Sequence, residues 1–236
     1  MHYDVHTHKT KNSDKTAFAI LNPTFLNSIP IQDSVQEVFS TGIHPWYINT
    51  NTLENDLSLL EQSAVFRHVI LIGECGLDKQ CNIPLELQKE VFEVHVRLSE
   101  RIKKPLIIHC VKAQEEIIAY KKKYQPRQPW IIHGFRGKPQ QMEQWIKNDF
   151  FLSFGELFNE NTVKQIPPER LLLETDDSSL TIQCIYNKVA IVRNISGREL
   201  EKQIEENVKN IFYLLYQDGG LSENQTDGVI NTGLIK

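Results

Sequence analysis

Cysteine is scarce: Cys75, Cys81, Cys110 and Cys184 are the only four in 236 residues. They form no Cys-x-x-Cys pair and no disulfide framework, so a reduced, cytoplasmic protein is the simplest expectation. Positive charge is not in excess. Lys and Arg total 26 against 30 Asp and Glu, a net charge of -4, which leaves no overall basic field to attract nucleic acid. A polyanionic substrate would have to be held by local cations, either metals or a few Arg and Lys. No apolar run is long enough to span a membrane. The first residues read as a strand and not as a charged and apolar leader. No Ser or Cys stands beside an evident general base, so a covalent nucleophile has no candidate.

What remains is globular in character, 40% hydrophobic and 24% charged. The length suits one substantial core and is short for two ordinary domains. We read residues 1–218 as one domain, expected to act as a monomer. The Gly-, Asn-, Ser- and Thr-rich stretch 219–236 reads as a polar tail.

The chain is organised around Asp4-Val5-His6-Thr7-His8. In an extended strand alternate side chains share a face, so Asp4, His6 and His8 lie together. Two neutral imidazoles at i and i+2 can grip one divalent ion. Later apolar runs repeat a pattern. Thr16–Leu21, Val35–His44, Val69–Gly73, Pro105–Cys110, Pro129–His133, Phe150–Gly155 and Leu171–Asp176 read as strands. The continuous apolar ones suit a parallel sheet buried on both faces. Helical patterns lie between many of them: Asn51 with Glu54 resembles a capping box, and Leu87, Val91, Val94 and Leu98 form one stripe. Leu200, Ile204, Val208, Ile211 and Leu215 mark a long closing helix, and Lys121–Lys123 reads as a solvated helix face.

Eight strands alternating with helices, at a length near the roughly 250 residues typical of the fold, predict an α/β TIM (β/α)8 barrel. The connection between the first two strands looks shortened. In such barrels functional residues gather at the C-terminal strand ends. His8, His44, Glu74, His109, His133 and Asp176 all fall there. With His6, and setting His44 aside, they make four imidazoles and two carboxylates. That exceeds the three protein ligands of a catalytic zinc and suits two metals bridged by a carboxylate. Such a pair clamps the attacking and leaving oxygens of a phosphoryl displacement. His2, His68 and His95 lie away from strand ends and are read as ordinary. Cys75 and Cys110 are expected to face outward as small apolar residues. Asp4 either orients a ligand histidine or hydrogen-bonds backbone near the barrel floor. Alternation places Leu172, Glu174 and Asp176 inside, which makes Asp176, and not Asp177, the ligand and proton acceptor.

Six ordered motifs carry a resemblance. Asp4-x-His6-x-His8, Thr41-Gly42-Ile43-His44-Pro45, Gly73-Glu74-x-Gly76-Leu77-Asp78, Ile108-His109-Cys110, His133-Gly134-Phe135-x-Gly137 and Leu173-Glu174-Thr175-Asp176 resemble the motif series of the TatD family. Gln88 with Phe92, and Asn207 with Phe212, resemble its supporting helix motifs. The resemblance implies an amidohydrolase-related barrel and metal-dependent deoxyribonuclease action. It implies two divalent ions (Mg2+, Mn2+ or Zn2+) on His6, His8, Glu74, His109, His133 and Asp176, with Glu74 bridging. Glu74 and Asp176 are then the catalytic carboxylates, and His44, Lys112 and Arg136 the substrate contacts. Three features depart from the family. Val111 stands where an Arg is usual, and Trp46 where a second His is common. Asp177-Ser178-Ser179 replaces the usual Ala-Pro, and the loop there looks shortened. DNA or a small phosphodiester is the expected substrate. A small ester or amide, or a binding role without catalysis, are the alternatives.

Overall fold

The computed structural model describes residues 1–9, 17–24, 26–31 and 37–217, with side chains through 212. Eight strands run as β1 His2–Thr7, β2 Ala17–Leu21, β3 Val38–Thr41, β4 Val69–Asp78, β5 Leu106–Val111, β6 Trp130–Ile132, β7 Phe151–Phe154 and β8 Leu171–Leu173. They pair in chain order, each parallel to the next. A parallel bridge between Asp176 and Thr7 returns the last strand to the first. The expected TIM barrel is the fold.

The cause is legible in the strands. All ten residues of β4 are buried, as are all of β6 and β8. Such segments need hydrogen-bonded neighbours on both edges and apolar cover on both faces, which a helix-wrapped parallel barrel supplies. That cover comes from α1 Leu53–Ala64, α2 Leu85–Ile102, α3 Gln114–Tyr124, α4 Pro139–Lys147, α5 Glu160–Gln165, α6 Ile182–Arg193 and α7 Gly197–Gln217. The stripe on α2 buries Val91 and Leu98, and that on α7 buries Leu200, Ile204, Val208 and Ile211. The short connection expected between β1 and β2 lies mostly outside the described residues, as does the tail 219–236.

Several local expectations are corrected. Strand β4 runs on through Glu74 to Asp78, because Gly73 and Gly76 let β5 come close. A Cβ on Gly73 would strike the Ile107 carbonyl, and one on Gly76 the His109 carbonyl. Helix α1 has no capping box from Asn51 and Glu54. Its N-cap is Thr52, without a side-chain cap bond, and the Thr52 hydroxyl donates instead to Asp56 Oδ2 at 2.7 Å. Lys121 is not solvated: it is 9% exposed, donates to the Asp149 carbonyl and lies 4.4 Å from the Phe150 ring centre. Its long aliphatic stem is what allows a lysine to be buried this way. Strand β8 stops at Leu173, three residues short of Asp176, whose φ of +53° leaves the extended region.

Candidate metal centre

The C-terminal ends of six strands bring His6, His8, His44, Glu74, His109, His133 and Asp176 into one cluster. Glu74 is its centre. Its Oε2 lies 3.3 Å from both His6 Nε2 and His8 Nε2. Its Oε1 faces the other way, 2.7 Å from His133 Nε2, 2.8 Å from His109 Nδ1 and 3.0 Å from His44 Nε2. Asp176 Oδ1 stands 3.7 Å from His6 Nε2 and 3.6 Å from His8 Nε2. Burial opposes charge on Glu74, but His133, His109 and His44 around it hold its carboxyl well below the usual carboxylate range. His133 is likewise disfavoured by burial, and Glu74 and Glu174 beside it raise it well above an ordinary imidazole.

The outer partners of each ring set its tautomer. In a neutral imidazole one nitrogen donates and the other offers a lone pair. His8 Nδ1 sits 2.9 Å from the Asn22 carbonyl, an acceptor, so Nδ1 carries the proton and Nε2 points its lone pair inward. His109 Nε2 lies 3.2 Å from Asp78 Oδ2 and its Nδ1 lies 2.8 Å from Glu74 Oε1; with the proton on Nε2, Nδ1 would offer its lone pair to an ion beside Glu74. His133 Nδ1 stands 3.4 Å from Glu174 Oε1, and its Nε2 faces Glu74. This carboxylate-or-carbonyl backing is what metal-bound histidines show. His44 is the reverse case. Its Nδ1 accepts from the Trp46 backbone N–H at 3.1 Å, so the proton sits on Nε2, and that ring is a donor toward the site. Burial lowers its pKa and keeps it neutral.

Both ring nitrogens of His6 are buried without a hydrogen-bond partner among the described residues. Such orphaned polar atoms are rare and costly. Three donor sets also lie within ligand-sharing distance: His6, His8 and Glu74; His6, His133 and Asp176; His44, Glu74 and His109, each with ligand atoms within 4.8 Å of one another. Imidazole nitrogens and carboxylate oxygens suit borderline and hard divalent ions, so the residues fit a metal centre.

Residues without an assigned role from the sequence support this cluster. Asn22, the turn residue after β2, is buried; its amide donates to Ser40 Oγ at 2.7 Å and to the Gly73 carbonyl at 2.9 Å. It therefore ties β2, β3 and β4 together beneath His8. Asp78 accepts from His109, from Trp46 Nε1 at 2.6 Å and from the Gln80 N–H at 2.7 Å, contacts that outweigh its burial and hold its pKa below the ordinary value. Glu174 is fully buried and accepts from the Gly134 N–H at 2.5 Å. Asp78 and Glu174 both sit in quoted motifs, so their presence was legible and only their partners were not. His95, on α2, accepts from the Ile43 N–H at 2.9 Å while its Nδ1 meets the Val91 carbonyl at 2.8 Å. It braces the backbone next to His44.

Other expectations resolve as follows. Asp4 does not orient a histidine: it accepts from Thr175 N–H at 2.9 Å and Thr175 Oγ1 at 2.7 Å, so the backbone alternative holds. Cys75 is buried and its thiol faces the Ile107 carbonyl, while Cys110 is half-buried, with its thiol pushed up to about 12 by burial. Lys112 is exposed and makes no hydrogen bond or ion pair among the described residues. Arg136 is exposed at the mouth, lining a small cavity with Glu174 and Asp176. Asp177 is exposed in the loop, whereas Asp176 is turned inward. No helix among the described residues is long and apolar enough to cross a membrane.

Against known proteins, a family model described as TatD related DNase matches residues 13–213. The chain is 27% identical over 213 residues to the uncharacterized metal-dependent hydrolase YabD of Bacillus subtilis, covering 80% of this chain and 83% of that one. It is 27% identical over 202 residues to the 3'-5' ssDNA/RNA exonuclease TatD of Pantoea vagans, covering 74% and 77%. In structure it resembles YJJV, a TatD homologue from Escherichia coli K12, with a TM-score of 0.77 at 19% identity, covering 90% of this chain and 98% of that one, a likeness of fold. With motifs, barrel and family model agreeing over most of its length, the chain belongs to the TatD related DNase family, and the relatives it matches are named as metal-dependent hydrolases and nucleases.

Proposed function

We propose that this chain hydrolyses phosphodiester bonds in single-stranded nucleic acid with water activated between two divalent ions, Mg2+, Mn2+ or Zn2+. The observation that carries this is the division of Glu74: one carboxylate oxygen faces His6 and His8, the other faces His109 and His133. A carboxylate placed so can serve two ion sites at once. His6, His8, His109, His133, Glu74 and Asp176 would hold the ions. Bound there, a divalent ion lowers the pKa of water toward about 7 and offsets charge on the phosphoryl oxygens.

The chain's own groups do the rest. Asp176 Oδ1, beside His6 and His8, accepts the proton of the attacking water. His44 donates from Nε2 to a phosphate oxygen, the role its tautomer permits. Arg136 reaches the substrate from the mouth, with Lys112 further out. All the donors come from one barrel, which supports a monomer that works alone.

The test is metal analysis of the purified protein, followed by turnover of bis(p-nitrophenyl) phosphate and of an end-labelled single-stranded oligonucleotide with each ion. We expect at least one ion per chain and ion-dependent cleavage of both. Cleavage of p-nitrophenyl acetate alone would move the assignment to a small-ester hydrolase, and absence of both metal and turnover would leave a binding protein.

A further inference from the structure

A groove of about 870 Å³ opens from His44 and runs outward between the loop after β3, α1 and the start of α2. Its lining includes Trp46, Tyr47, Asn27, Asn49 and Asn55, and it contains no Lys or Arg among the described residues. Trp46 and Tyr47 are each 54% exposed, among the few large hydrophobic side chains that are not covered. Trp46 is nevertheless fixed. Its Nε1 donates to Asp78 Oδ2 at 2.6 Å, and its ring meets His44 edge-on at 4.8 Å and His109 at 5.6 Å between centres. Tyr47 also lies beside His44, 5.6 Å between ring centres.

We propose that Trp46, with Tyr47, is a stacking platform for a nucleobase next to the phosphodiester held at Glu74. This rests on the phosphodiesterase reading above and names how its substrate is gripped. Three features select a base. An indole held rigid at one edge and open on a face loses little freedom when a flat ring covers it. The described lining offers no cations for a track of successive phosphates, while every base offers an aromatic face. The Asn side chains can each donate to and accept from a base edge, yet require no fixed sequence. Asp78 joins the platform to the site, since it accepts from both Trp46 and His109.

The experiment uses metal-stripped protein, so that binding is read without cleavage, and a short single-stranded oligodeoxyadenylate. Trp130 and Trp145 are 0% and 2% exposed, so quenching of tryptophan emission reports Trp46. We expect quenching on binding, and a Kd raised about 5- to 100-fold in Trp46→Leu and less in Trp46→Phe. A series with one abasic residue moved inward from the 3' end should weaken wild-type binding at one position, and that position should cost Trp46→Leu nothing further. Equal abasic penalties in wild type and Trp46→Leu, or no quenching, would overturn the platform. Should the phosphodiesterase reading be the one at fault, base-dependent quenching would persist while no ion supported cleavage. Should the platform be at fault, cleavage would persist and ignore the abasic residue.

Discussion

Asp176 and Thr7 form a parallel bridge that joins the last strand of the barrel to the first. The Asp176 N–H donates to the His6 carbonyl at 2.9 Å, and the His8 N–H donates to the Asp176 carbonyl at 3.0 Å. Closing the barrel therefore also sets both imidazoles against the Asp176 carboxylate. Its φ of +53° turns that carboxylate inward, and Asp and Asn are the residues besides Gly that tolerate such a backbone.

That tolerance makes Asp176→Asn a clean probe, since it keeps the backbone and removes the proton acceptor. Turnover should fall by about 100-fold or more, the scale of general-base catalysis, with an unchanged circular dichroism spectrum. Asp177→Asn, on an exposed residue, should retain turnover within a small factor. A larger loss at Asp177 would place the ligand one residue later.

Glu74→Gln removes a charge shared between two groups of imidazoles. Hydrolysis should drop by several orders of magnitude, and metal content by atomic emission should fall with it. Near-native rate with full metal content would contradict the bridging role.

The tautomers separate His44 from His109. His109→Asn should lower metal content, because the Nδ1 lone pair that Asp78 backs is lost. His44→Asn should keep the metal and lose turnover, because its Nε2 is a donor. Equal metal loss in both would make His44 a ligand.

Salt dependence should be shallow. The slope of log affinity against log salt tracks phosphates neutralised, and among the described residues Arg136 is the cation that lines the small cavity beside Asp176. Arg136→Ala should raise KM and flatten the slope further, and Lys112→Ala should do less. A slope corresponding to six or more phosphates would reveal a basic track elsewhere on the surface.

His95, which touches none of the residues proposed to hold an ion, gives a pH effect on stability. Burial lowers its pKa from 6.5 to about 4. The folded chain thus resists a proton that the unfolded chain accepts, so its contribution is full above pH 6.5 and declines as pH falls toward 4. The loss across that window is about 3 kcal/mol. Urea melts from pH 4 to 7 should show it, and His95→Gln should flatten that part of the curve. An identical pH slope in the variant would show that His95 is not the group responsible.

The sequence by itself determined the barrel and the membership of its cluster. Continuous apolar runs ending in His, Glu or Asp can be satisfied only as parallel strands covered on both faces, and strand ends of a barrel converge. Alternation was expected to separate Asp176 from Asp177, but β8 ends at Leu173, and it is the left-handed turn at Asp176 that points its carboxylate inward and leaves Asp177 exposed. What the sequence could not carry were relations across strands. Asn22 reads as a turn residue until β2 is placed between β1 and β3. Asp78 and Glu174 read as motif letters until His109 and His133 turn toward them. Asp4 was undecided until Thr175 arrived from the far end of the chain. Lys121 looked solvated because periodicity records which face a residue takes and not how far a four-carbon stem can reach across Phe150. Which nitrogen of each histidine offers its lone pair depends on a partner that is tens of residues away for His109 and His133, and only the closed tertiary structure brings those partners close.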